Sequence, residues 1–213
     1  MKLQTQLRSA AAALVLAAAS LPAAAQVFVL DATDVAGFGA APYGTVTLTQ
    51  NGANVDFKID LRADLNFLTT GGHDVFAFNA TGVVLADIVN IHDASTQTFA
   101  AVVPGIDPPF GSFGFGIDCA TGCSPGGSAG GYPDPLTFTV NNATVSDFLL
   151  QSTGGSLGKA YFAADVLVTS GANTGATGAV GVTTAVPEPE TYALMLAGLA
   201  AMGVVARRRR RGR

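Results

Sequence analysis

The chain has 213 residues, 49% of them hydrophobic and only 12% charged, with a formal net charge of −4 at pH 7. So apolar a composition excludes disorder along the whole length. The excess of acid excludes a nucleic-acid surface, which draws its affinity from basic residues facing phosphate.

The first twenty-five residues read as an address. Lys2 and Arg8 form a basic stretch, residues 10–19 are apolar, and Ala23, Ala24 and Ala25 offer small side chains before Gln26. That is the pattern of a secretory signal peptide cleaved between Ala25 and Gln26, too short and wrongly flanked for a stable membrane span. It implies passage through the Sec translocon. A retained anchor is the competing reading.

Residues 26–186 have the length of one ordinary domain. Their basic residues are Lys58, Arg62 and Lys159, three against thirteen aspartates, which leaves −10. Residues 55–65 alternate strictly: Val55, Phe57, Ile59, Leu61, Ala63 and Leu65 against Asp56, Lys58, Asp60, Arg62 and Asp64. Successive side chains of a strand point to opposite faces, so this is a strand with one face in a core and one in water. Lys58 and Arg62 interleave the acids, which favours a solvated face over a metal cluster. Further strand-like runs lie at 45–49, 75–79, 82–91, 99–103, 112–117, 136–140 and 161–168. Asn51-Gly52 marks a hairpin turn, and short helical pieces are expected at 64–68 and 146–151. The pattern predicts an all-β protein, an antiparallel β-sandwich over 26–169. The Gly/Ala/Thr-rich tract 170–186 follows it as a flexible tether or an edge strand.

Three constellations bear on chemistry. Cys119 and Cys123 are the only cysteines. In an exported chain they are expected to form a local disulfide, because the spacing lacks a second ligand pair for zinc and is not the CxxC of redox proteins. His73-Asp74 and His92-Asp93 could supply acid and base groups or bind metal, but no positioned nucleophile accompanies them and both read as turn residues. The aspartates could hold calcium, with Asp31 and Asp34, or Asp107 and Asp118, as the pairs that might converge, although no EF-hand loop is present. No nucleophile elbow, phosphate loop or zinc-protease helix occurs. Asn79-Ala-Thr81 and Asn142-Ala-Thr144 match the Asn-x-Thr pattern by chance in Thr-rich strands. The sequence reads as a non-enzymatic protein with no required cofactor.

The C-terminus is a second address. Pro187, Glu188 and Pro189 interrupt regular structure. Residues 191–206 are uncharged and rich in Leu and Ala, about 24 Å as a helix at ~1.5 Å per residue, marginal against the ~20 residues a full span needs. Arg207, Arg208, Arg209, Arg210 and Arg211 follow and fix the cytoplasmic end. A motif, one transmembrane helix and a basic cluster in this order resemble the PEP-CTERM sorting domain, here over 187–213. The stretches Phe113-Gly-Phe-Gly-Ile-Asp-Cys119, Leu136-Thr-Phe-Thr-Val140 with Ser146-Asp-Phe148, and Tyr161-Phe-Ala-Ala-Asp165 look like a recurrent type of protein bearing that domain. The resemblance implies an exosortase as processing partner, with Pro187, Glu188 and Pro189 as its motif. It also implies a transient membrane hold, delivery to the cell surface or outside the cell, and a link to exopolysaccharide and biofilm. A carbohydrate- or calcium-binding extracellular module is the alternative, though Trp is absent and Tyr43, Tyr132 and Tyr161 are the only tyrosines before the motif.

Overall fold

A computed structural model of the chain describes residues 25–95, 97–121, 123 and 131–184, together with Gly198, Leu199 and Met202, which are helical. The expected signal peptide up to residue 24, the Pro187–Pro189 motif, the five arginines and the rest of the apolar run lie outside the described residues. Among those described, no helix is long and apolar enough to cross a membrane.

The described part from residue 25 to residue 184 is all-β, with fourteen strands and two short 3-10 turns named below. The first sheet has the order β1-β3-β4-β12-β7. Its strands are β1 (Gln26–Leu30), β3 (Gly44–Asn51), β4 (Asn54–Leu61), β12 (Leu136–Val140) and β7 (Ile88–His92). The second sheet runs β2-β14-β13-β6-β11-β8, with β5 also paired to β13. Its strands are β2 (Ala32–Thr33), β14 (Thr177–Val182), β13 (Phe162–Val168), β6 (Phe76–Phe78), β11 (Phe115–Thr121), β8 (Thr98–Val102) and β5 (Leu65–Phe67). A two-stranded ribbon pairs β9 (Gly105–Asp107) with β10 (Gly111–Phe113). Every strand pairing is antiparallel.

The alternation of β4 does what its spacing predicts. Val55, Phe57, Ile59 and Leu61 are buried, while Lys58 is exposed and the aspartates beside it are half-exposed. The hairpin joining β3 to β4 turns at Gly52, whose φ of +62° lies in the left-handed region that glycine adopts freely. Phe28 and Phe57 of the first sheet meet Phe162 of the second at centroid distances of 5.0 and 6.2 Å. The core therefore sits between the two sheets.

Several local expectations are corrected. The strand over 55–65 ends at Leu61, because Arg62 and Asp64 fold into a turn in which the Leu65 N–H donates to the Arg62 carbonyl. The expected helix at 64–68 is β5, drawn into the second sheet by β13. The run 82–91 divides into a 3-10 turn, Leu85–Asp87, and β7, while 112–117 divides between β10 and β11. The helical piece near 146–151 is a single 3-10 turn, Val145–Phe148, whose Asp147 carboxylate accepts the Thr144 N–H at 2.8 Å. The tract 170–184 is neither an edge strand nor a tether throughout. It contains β14, paired with β13 along one side and with β2 along the other.

Candidate functional site

Three places carry polar chemistry. The first is the exit of the chain. After β14 the backbone is caught by Asp31, which lies between β1 and β2. Asp31 Oδ1 accepts the Thr183 N–H at 2.9 Å and its hydroxyl at 3.0 Å, and Oδ2 accepts the Thr184 hydroxyl at 2.7 Å. At the other end of the described domain, Ala25 is exposed and Gln26 is buried as the first residue of β1. Asp34, the other member of the expected pair, does not meet Asp31. Its carboxylate accepts the Ala179 N–H on β14 at 2.9 Å.

The second place is a cluster under the β9–β10 ribbon. Along β13, Phe162, Ala164 and Val166 point into the core, so Ala163 and Asp165 face the opposite side of the second sheet. Small residues on that side, Ala77, Ala163, Ala179 and Gly181, let the ribbon lie close: Phe110 and Phe113 pack onto it, and a Cβ at Gly181 would stand 2.7 Å from the Phe110 ring. Asp107, the last residue of β9, and Asp165 are both completely buried. His73 Nδ1 lies 3.4 Å from Asp107 Oδ1, in ion-pair contact without hydrogen-bond alignment. Neither Asp107 oxygen has a hydrogen-bond partner, and Asp165 is bonded only through Oδ2, to the Thr70 hydroxyl at 2.6 Å. Asp74 ties the ribbon down: its Oδ2 accepts the Ile106 N–H at 2.6 Å, and its own N–H donates to the Ile106 carbonyl at 3.0 Å.

Burial sets the electrostatics here, because a desolvated carboxylate loses more hydration in its charged form. Burial pushes Asp74 and Asp165 each up to about 6. It also raises Asp107, against the opposing pull of His73. The Asp107 carboxylate in turn raises His73. Asp118 does not join Asp107. It accepts the Thr69 hydroxyl at 3.1 Å and stands as a like charge beside Asp74. Of the two His-Asp pairs only His73-Asp74 enters the cluster. His92 is exposed at the end of β7, and Asp93 accepts the Ser95 N–H at 2.8 Å in a local turn. The Asp107–His73 contact carried no sequence signal, since 34 positions separate the two. Among the described residues, no group of three or more His, Cys, Asp or Glu stands in an arrangement that could hold a metal ion.

The third place is a cleft of about 260 Å³ lined by Phe38, Arg62, Asp64, Val168 and the 170–173 loop. Arg62 is committed within it. It donates to both Asp64 oxygens, to the Phe38 carbonyl at 2.7 Å and to the Ala40 carbonyl at 3.0 Å, and its guanidinium lies 5.3 Å from the centre of the Tyr43 ring. A guanidinium so occupied positions a loop and leaves little to offer a ligand. Tyr43 and Tyr132 are buried, which removes two of the three tyrosines from any stacking platform for sugars.

Cys119 and Cys123 stand at disulfide distance, S–S 2.14 Å and Cα–Cα 5.7 Å, at the end of β11. Asn79 has its side-chain oxygen engaged by the Gly114 N–H at 2.7 Å.

Comparison with known proteins adds one finding. No curated protein and no solved structure matches the chain. A family model described as the PEP-CTERM protein-sorting motif matches residues 185–211, beginning at the residue after the Asp31-bound Thr184. The chain therefore carries a PEP-CTERM protein-sorting motif, the signal of an exported protein that an exosortase targets.

Proposed function

We propose that residues 26–184 are a non-enzymatic cargo domain, a β-sandwich delivered to the cell surface or the extracellular matrix and associated there with exopolysaccharide. The observation that carries this reading is the join between cargo and signal. The last strand and its Asp31 tie reach Thr184, and the sorting motif begins at residue 185. The described domain thus runs up to the residue before the matched motif, as in a chain whose tail is handled separately from its body. In this reading Pro187, Glu188 and Pro189 are presented to the exosortase, the apolar run 191–206 holds the chain in the membrane, and Arg207 to Arg211 keep its end cytoplasmic. The Sec translocon carries the chain out, and the signal peptide is removed between Ala25 and Gln26. The −10 charge of the cargo keeps it soluble and off anionic lipid once released.

Cell fractionation with intact-mass measurement tests this. The surface or extracellular form is expected to start at Gln26 and to lack the arginines. Glu188→Ala and a deletion of residues 207–211 are each expected to leave the chain longer and membrane-associated. Normal processing and delivery of both variants would overturn the reading.

A further inference from the structure

We propose that the His73–Asp107–Asp165 cluster is a pH-operated latch, which holds the β9–β10 ribbon against the second sheet in mild acid and releases it as the pH rises. The geometry comes first. Asp107 belongs to the ribbon and Asp165 to the sheet beneath it, both are fully buried, and three of their four carboxylate oxygens have no hydrogen-bond partner. An ionised carboxylate in such a place is costly, whereas a protonated one is neutral and escapes that cost. Among the described residues His73 is the cationic group in contact, at 3.4 Å from Asp107.

Three further charges face the cluster. Asp34 follows β2, Asp74 precedes β6, and Asp118 lies on β11. All three are acidic, and none of the charges acting on His73, Asp74, Asp107 or Asp165 belongs to a lysine or arginine. Once His73 loses its proton, nothing there offsets the carboxylates. β9 packs on β6, β11 and β13, so opening the ribbon is the local route by which water reaches Asp107 and Asp165.

The signs agree across the cluster. A carboxyl raised in the closed form stabilises it fully below the ordinary aspartate range and loses that contribution as the pH rises towards its raised value, about 6 for Asp74 and Asp165. A raised histidine stabilises the closed form below about 6.5 and loses that contribution as the pH passes its own raised value. Both losses run the same way, that of the carboxyls from about pH 4 upward and that of the histidine from about pH 6.5 upward. Each proton bound only by the closed form shifts the opening equilibrium by about tenfold per pH unit.

Hydrogen exchange on the intact exported domain, corrected for the intrinsic pH dependence of the chemical step, reads this directly. The Ile106, Asp74 and Ser112 amides, which tie the ribbon down, are expected to lose at least about tenfold protection between pH 5 and pH 7. Amides of β4 and β12, on the other sheet, are expected to keep theirs. Asp107→Asn combined with Asp165→Asn should flatten the ribbon's pH response. The wild-type series stands without the variant should that not fold. Constant or rising protection at Ile106 and Ser112 from pH 5 to pH 7 would overturn the latch, and so would an unchanged response in a folded double variant. Either outcome leaves the sorting reading intact, because that rests on the tail.

Discussion

Phe57 and Phe138 stack across the β4–β12 pair with ring centroids 4.4 Å apart and planes 13° from parallel. Phe57 also meets Phe78 at 5.5 Å, Phe148 at 4.8 Å and Phe162 at 6.2 Å. It is thus the point where both sheets and the 3-10 turn after β12 converge. Removing its ring leaves a cavity that four fixed neighbours cannot close. Phe57→Ala should cost about 3–5 kcal/mol, and Phe57→Leu less, because most of the volume stays. Denaturant unfolding checks this. The midpoint should fall in that order at constant slope, since surface exposed on unfolding changes little.

Arg62 explains why a strand-like alternation stops early. Its contacts with Asp64 and the Phe38 and Ala40 carbonyls need a turn, and that turn ends β4. Arg62→Ala leaves two carbonyls and one carboxylate without their donor and should cost about 1–3 kcal/mol. Arg62→Lys should recover part of it, lacking the two-pronged contact. The Arg62 guanidinium holds Asp64 below the usual carboxylate range. That contribution is present above about pH 4 and is lost as the pH falls through the lowered value of Asp64. Arg62→Ala should therefore weaken acid unfolding's dependence on pH below 4 and leave the behaviour above pH 5 unchanged. The ribbon cluster operates in that upper window, so the two effects separate in one pH series.

How much of this was legible in sequence depends on how each strand is buried. β4 could be read because only one of its faces is buried, and the other carries alternating charges. β14 could not. Ala179, Val180, Gly181 and Val182 are all buried, so there is no alternation, and Gly181 is small because the Phe110 ring occupies the space above it. Read locally, such a stretch looks like a linker. β1 was hidden for the opposite reason: Val27 and Val29 are exposed while Phe28 and Leu30 are buried, so both faces are apolar in composition. The sorting motif was legible because its meaning lies in the order of adjacent residues. The His73–Asp107–Asp165 cluster was not, because it is assembled by the ribbon folding over the sheet, and Asp165 stands in a strand whose seven residues are all buried.

The Cys119–Cys123 pair closes a loop of five residues that takes in the last β11–β8 pairings, Cys119 with Phe99 and Thr121 with Thr98. The chain-entropy relation gives a loop of that size about 2 kcal/mol. The double variant Cys119→Ser with Cys123→Ser should therefore fold and lower stability by about 2 kcal/mol or less. Its effect should be confined to the Thr98–Thr121 end of the β8–β11 pair. Reduction of the wild-type domain should reproduce the same loss, measured as a shift in denaturation midpoint with and without reductant. A larger loss would mean that the bridge orders more of the chain than its own loop.

Asp31 is the residue on which the boundary between cargo and address depends. It receives three hydrogen bonds from Thr183 and Thr184, the last two residues of the described domain. Its own N–H donates to the Gly181 carbonyl at 2.9 Å, so backbone and side chain grip the same end of β14. Asp31→Ala keeps the backbone bond and removes the side-chain ones. Part-exposed bonds to a charged acceptor are each worth about 1 kcal/mol net, so the variant should lose about 2–3 kcal/mol of local protection at Thr183. That is a rise of roughly 30- to 150-fold in opening, at about 1.4 kcal/mol per tenfold. Asp31→Asn retains one acceptor oxygen and should fall between. The core is expected to resist, because Val180 and Val182 remain buried between the sheets. Limited proteolysis of the domain with residues 185–213 attached is the direct measurement. Cleavage just before the motif should accelerate in Asp31→Ala while the midpoint of global unfolding moves by little. If both change together, β14 is held by the whole sheet rather than by its terminal tie.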